Sequence, residues 1–127
     1  MSDDELNRVV DAYIRYCKSG GKGPVYEENY WAAEVAMELC WMGPVESLWI
    51  LILAVLAKDT SDEVLQLLSA GPLEDLLAKH GNAFIERIEL EARQNPQFRD
   101  LLGGVWQNSM TDDIWQRVEA ARLHKKW

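Results

Sequence analysis

Basic residues, cysteines, histidines and long apolar runs are all scarce in this chain, and each scarcity excludes something. Its 127 residues carry 13 Lys and Arg against 21 Asp and Glu, a net charge of −8. That balance argues against holding a phosphate backbone by bulk charge, so nucleic acid is not an expected partner. Two cysteines, Cys17 and Cys40, are too few and too scattered for a disulfide-stapled module. They fall at positions that suit small buried hydrophobes, which fits a reducing cytoplasm. The longest apolar run, Leu48 to Ala57, has ten residues, about half of the ~20 needed to cross a bilayer. No membrane partner is expected. The opening Met1-Ser2-Asp3-Asp4-Glu5 is acidic where an export signal would be basic and then apolar, so the expected location is cytoplasmic.

The two histidines limit the chemistry further. A carboxylate-bridged metal site in a helical bundle draws on Glu-x-x-His, and that spacing occurs nowhere in the chain. His80 precedes Gly81 at an expected helix end, where a ring suits a cap better than a catalytic base. His124 lies beside Lys125, Lys126 and Trp127 at a terminus that should fray. Gly20-Gly21-Lys22 lacks the spacing and the Ser or Thr of a phosphate-binding loop. No Ser sits in a Gly-x-Ser-x-Gly turn. The expectation is therefore no catalytic residue, no metal and no cofactor.

What is present is helical periodicity. Ser2 and Glu5 have capping-box spacing, and Leu6, Val9, Val10, Tyr13, Ile14 and Cys17 then recur on one helix face. Residues 19–25, with three glycines and Pro24, read as a flexible loop. A second helix is expected over about 28–42. Glu27, Trp31, Glu34 and Glu38 form a narrow acidic seam on it, while Val35, Ala36, Met37, Leu39, Cys40 and Trp41 make a buried face. A third, over about 44–57, has no polar side beyond its first turn and should have neighbours all round.

Beyond Lys58, helices are expected at about 60–70, 72–80, 82–94, 96–102 and 112–124. Gly43-Pro44, Gly71-Pro72 and Asn95-Pro96 mark sharp corners between them, and Thr111 or Asp112 caps the last helix. Nothing reads as a strand. Gly43-Pro44-Val45-Glu46-Ser47-Leu48 and Gly71-Pro72-Leu73-Glu74-Asp75-Leu76 align at an offset of 28 residues, a weak repeat. The expected fold is one all-α domain of six to eight helices, either an irregular orthogonal bundle or a short HEAT-like stack of helical pairs.

Two surfaces are candidates for binding. The acidic charge is lopsided: residues 1–63 carry 12 acids and 5 bases, residues 64–127 carry 9 and 8. The seam of Trp31, Glu34 and Glu38 could therefore receive a basic protein, although a solvated face is the commoner meaning of such charge. Gly103-Gly104-Val105-Trp106-Gln107-Asn108 sets a large aromatic and two amides beside a helix-breaking pair of glycines. Trp106, Gln107 and Asn108 are either a recognition corner or a core plug with its helix-end hydrogen bonds, and the plug is the simpler reading.

Residues 43–122 resemble a family of small bacterial proteins known only as a domain of unknown function. The resemblance rests on Gly71-Pro72-Leu73-Glu74-Asp75-Leu76-Leu77, Phe84-Ile85-Glu86-Arg87-Ile88, Phe98-Arg99-Asp100-Leu101-Leu102, Leu102-Gly103-Gly104-Val105-Trp106-Gln107-Asn108-Ser109-Met110 and Ile114-Trp115-x-Arg117-Val118. It implies an all-helical domain from a bacterial cytoplasm and supplies no activity. The leading functional expectation is a non-enzymatic protein–protein interaction module, more specifically an acidic immunity or antitoxin-like protein facing a basic partner. The alternative is a small enzyme or ligand-binding protein with a pocket near Trp106, Gln107 and Asn108, joined by His80, Glu34 or Glu38. Homodimerisation stays open.

Overall fold

The computed structural model describes residues 1–123, so the expectations for His124 and Trp127 lie outside the described residues. Among the described residues every regular element is helical. The chain falls into two compact units, Met1–Leu67 and Leu68–Trp127.

In the first unit, α1 (Asp3–Cys17) starts where the sequence places it. Ser2 Oγ accepts from Glu5 N–H and Glu5 Oε1 accepts from Ser2 N–H, both at 3.1 Å, which satisfies two orphan amides reciprocally. Its inner face buries Val9, Val10, Ala12, Tyr13 and Cys17. Burial pushes the Cys17 thiol up to about 12, so it stays protonated. The α1–α2 turn is shorter than the expected 19–25 loop, because α2 (Pro24–Trp41) begins at Pro24. A proline at the first helical position gives up no hydrogen bond there, which makes it a helix starter and not a loop residue.

Across that turn the hairpin is held by rings and one amide. Tyr16 stands 5.4 Å from Tyr26 and 5.8 Å from Tyr30, centroid to centroid. Buried Asn29 accepts from Arg15 Nε at 3.1 Å and donates to the Val25 carbonyl at 2.8 Å, linking α1 to α2. The next corner matches expectation: Gly43 has a φ of +81°, the left-handed conformation that glycine adopts without a Cβ penalty, and a cis bond joins it to Pro44.

Helix α3 (Val45–Lys58) packs Leu48, Ile52 and Val55 against α1 and α2. It does not have neighbours all round, since Ile50 and Ala57 are exposed. A run of apolar residues has the same hydropathy whether or not each side is covered, so periodicity alone overstated its burial. Asp59, just past its end, accepts from Lys18 Nζ at 2.6 Å and from Ser61 N–H at 2.9 Å. The Lys58 ammonium pairs with Asp11. A short helix, α4 (Asp62–Leu68), follows.

The second unit begins with a surprise. Gly71-Pro72 makes no corner; Ser69–Leu73 form a π-helical turn that runs straight into α5 (Glu74–Gln94). The wider turn accommodates the ring and missing N–H of Pro72, which a regular α-helix does not. The weak repeat is therefore one of sequence, since its two Gly-Pro pairs adopt different conformations. The break expected near His80 is a kink inside α5, where His80 has φ −127° and ψ 24°.

The α5–α6 junction follows expectation. Asn95 Oδ1 accepts from Gln97 and Phe98 N–H ahead of α6 (Pro96–Leu102). The last helix, α7 (Asp112–Leu123), starts where Thr111 Oγ1 accepts from Ile114 N–H at 3.4 Å. It packs on α5, where a Cβ on Gly81 would stand 3.2 Å from Ile114. Arg117 forks onto Glu89 with Nε and Nη2 at 2.8 and 2.6 Å.

Asp59 gives the first unit a marked acid sensitivity. The hydrogen bond from Lys18, helped by Ser61, holds its carboxyl at about 2 against an ordinary 3.8. A depressed folded-state value stabilises above the unfolded value and is lost as pH falls through the folded one. Thermal melts should therefore show Tm falling between pH 3.8 and about 2, less steeply in Asp59→Asn. Equal slopes in the two proteins would contradict the assignment.

Candidate functional site

The corner between α6 and α7, residues 103–111, is the most constrained irregular segment in the second unit. At its start Gly104 passes so close to the π turn that a Cβ there would lie 2.5 Å from Ser69 Oγ. A larger residue there would force Ser69 or the corner to shift. Val105 and Met110 bury their side chains at either end. Between them the chain bulges outward, and Trp106 is 73% exposed.

The bulge is held by a carboxylate. Glu74, in the first turn of α5, is 7% exposed and accepts from Trp106 N–H at 3.1 Å and from the Asn108 side-chain amide. Asn108 has a left-handed φ of +43°, a conformation in which its short polar side chain is tolerated and its amide bonds Glu74. Gln107 Nε2 donates to the Met110 carbonyl at 3.2 Å and to Asp112 Oδ1 at 2.9 Å. Arg122 completes the frame, its guanidinium 4.6 Å from the Trp115 ring and its Nη1 donating to the Val105 carbonyl at 2.7 Å. Beside Glu74, the Asp75 carboxyl is pushed up by burial and by its neighbour's negative charge.

The structure therefore splits the simpler expectation for this corner. Gln107 and Asn108 do satisfy nearby backbone and carboxylate groups, but Trp106 does not plug the core. Both amides are engaged in holding the loop, which leaves the indole as the group on offer. Glu74 and Arg122 are residues that sequence reasoning missed. Glu74 reads as an ordinary first-turn acid of a helix, and nothing in its spacing shows that it reaches a segment 32 residues away.

In the first unit the predicted seam is real and carries more than charge. Glu34 and Glu38 are exposed on α2 and Trp31 is half-buried. Met37 and Trp41, placed on the buried face by periodicity, are exposed at 41% and 62%. A helix apolar over most of its circumference has no mark in its sequence for which side is covered. Among the described tryptophans Trp49 alone is buried.

A cleft of about 260 Å³ opens at the α5 kink, lined by Leu77, His80, Gly81, Asn82, Thr111 and Ile114. Trp106, Gln107 and Asn108 are not among its walls. No group of three or more His, Cys, Asp or Glu is placed to hold a metal ion among the described residues. Nor is any described helix long and apolar enough to cross a membrane.

These features define an all-helical protein with a rigidly framed, outward-facing tryptophan. It belongs to the family of unknown function DUF6869, whose model matches residues 21–126. The match is wider than the 43–122 stretch that carries the resemblance, and it includes all of α2. No curated protein and no solved structure matches the chain.

The frame makes Glu74 a stability residue. Replacing it by alanine leaves the part-buried Trp106 peptide N–H and the Asn108 amide without their acceptor, at a net cost of about 0.5–1.5 kcal/mol for each hydrogen bond lost. Urea denaturation of Glu74→Ala should show a loss in that range. A midpoint unchanged from wild type would show that the carboxylate does not hold the corner.

Proposed function

We propose that the chain is a non-enzymatic protein-binding module whose Trp106 corner anchors a protein partner. The observation that carries this reading is the combination of an exposed indole with the peptide group just before it held at both its N–H and its carbonyl. A tryptophan is the side chain most often found at the energetic centre of interfaces. Presenting it from a loop that is already ordered spares part of the ordering cost of association, about 0.5–1.5 kcal/mol per side chain.

Asp112 and Asp113 are exposed at the start of α7, the first bonded to Gln107 of the corner. Their charge suits a partner whose pocket is rimmed by bases. An immunity or antitoxin-like protein bound to a basic toxin is the specific form of this reading. A bacterial cytoplasm, and a lone chain or a homodimer as the binding unit, remain part of it as proposals.

The second reading, a small-molecule site, moves to the α5 kink. It is favoured by the cleft there, where His80, Asn82 and Thr111 supply polar groups over an apolar floor of Leu77 and Ile114.

A pull-down from the source cells separates the two. Trp106→Ala should keep its circular dichroism spectrum and its stability to within about 0.5 kcal/mol, because the ring is exposed. It should nevertheless lose a stoichiometric protein partner that the wild type retains, by at least about tenfold in affinity. Equal recovery by both proteins would remove the corner from the interface.

A further inference from the structure

We propose that the outward face of α2, from Glu34 to Met42, is a second docking surface, and that it takes a basic amphipathic helix with apolar anchors. It is independent of the Trp106 corner and lies wholly within the first unit.

Charge sets this face apart. Between Lys22 and Lys58 the chain has five glutamates and no Lys or Arg. Elsewhere some acids are matched, Asp11 with Lys58, Asp59 with Lys18 and Glu89 with Arg117. Among the described residues Glu27, Glu34 and Glu38 have no ion-pair partner. The C-terminal end of α2 adds to this potential, because a helix C-terminus carries partial negative charge and its last turn holds no base.

Apolar groups stand in the middle of that field. Met37 and Trp41 are one helical turn apart, Met42 follows at 81% exposure, and Glu34 and Glu38 flank them at helical spacing. Methionine is flexible and polarizable, so it accommodates varied apolar partners. An indole receives both an apolar side chain and an arginine stacked on its face. Flexible methionine-rich surfaces take the apolar face of an amphipathic helix, and glutamates beside them favour one whose other face is basic. A second copy of this face would set glutamate against glutamate, and a phosphate-bearing surface would be repelled in the same way.

The probe is a fluorescein-labelled amphipathic helical peptide with lysines on one face and leucine and phenylalanine on the other, titrated with the full chain by fluorescence anisotropy. Binding should weaken as salt rises from about 50 to about 500 mM, as a partly charge-driven contact does. The double variant Glu34→Gln/Glu38→Gln and the single variant Trp41→Ser should each weaken it about tenfold or more. A control with the same charge change in the second unit, Glu86→Gln/Glu119→Gln, should stay within about twofold, as should Trp106→Ala.

Equal affinity for a peptide with glutamate in place of lysine would overturn the proposal. So would equal losses in the α2 and control variants, which would reduce the effect to bulk charge. A loss in Trp106→Ala alone would assign the peptide to the corner and overturn the α2 site. Sedimentation showing a wild-type dimer that Trp41→Ser dissolves would overturn it in favour of self-association.

Discussion

The exposed corner of the second unit depends on one buried carboxylate. Glu74 lies where α5 leaves the π turn, and its two oxygens serve the main chain at Trp106 and the side chain of Asn108. Satisfying a buried acceptor with donors from a loop ties the loop down, since the donors cannot leave without stranding the carboxylate in a poorly solvating environment. Gly104 permits the approach, Val105 and Met110 bury the loop's shoulders, and Arg122 closes the frame from α7. The exposed indole follows from this geometry, because a loop tied down from beneath has one direction left for its largest side chain.

The first unit uses its charges differently. Two of its bases are engaged in ion pairs, Lys18 with Asp59 and Lys58 with Asp11, and the charged side chains of α2 are glutamates alone. The net charge of −8 is thus not evenly spread along the chain. It is concentrated on a helix that also exposes Met37, Trp41 and Met42, which is where complementary charge could be recognised with a useful apolar contact beneath it.

Features built from neighbours three or four residues apart were legible in the sequence. The Ser2–Glu5 box and the Thr111 cap both act within one helical turn, so spacing is enough to find them. Gly71-Pro72 was not legible, because the same dipeptide makes a corner at Gly43-Pro44 and a π turn here, and its two residues alone do not distinguish the outcomes. Met37 and Trp41 were read as core because an apolar residue looks alike whether its face is covered or bare. Of the candidate residues, Glu34, Glu38, Trp106, Gln107 and Asn108 could be named from their types and positions. The bond from Glu74 that organises the last three could not, since it spans 32 residues and follows no periodic rule.

The account stands on the corner's being held and not merely drawn out into solvent. Native-state hydrogen exchange of the Trp106 backbone amide tests this most directly, because that N–H has a single acceptor, the Glu74 carboxylate. The account predicts protection of the same order as the amides in the middle of α5, so that the corner opens only when the unit does. Exchange at the rate of an unstructured loop would contradict it and leave Trp106 an ordinary exposed side chain.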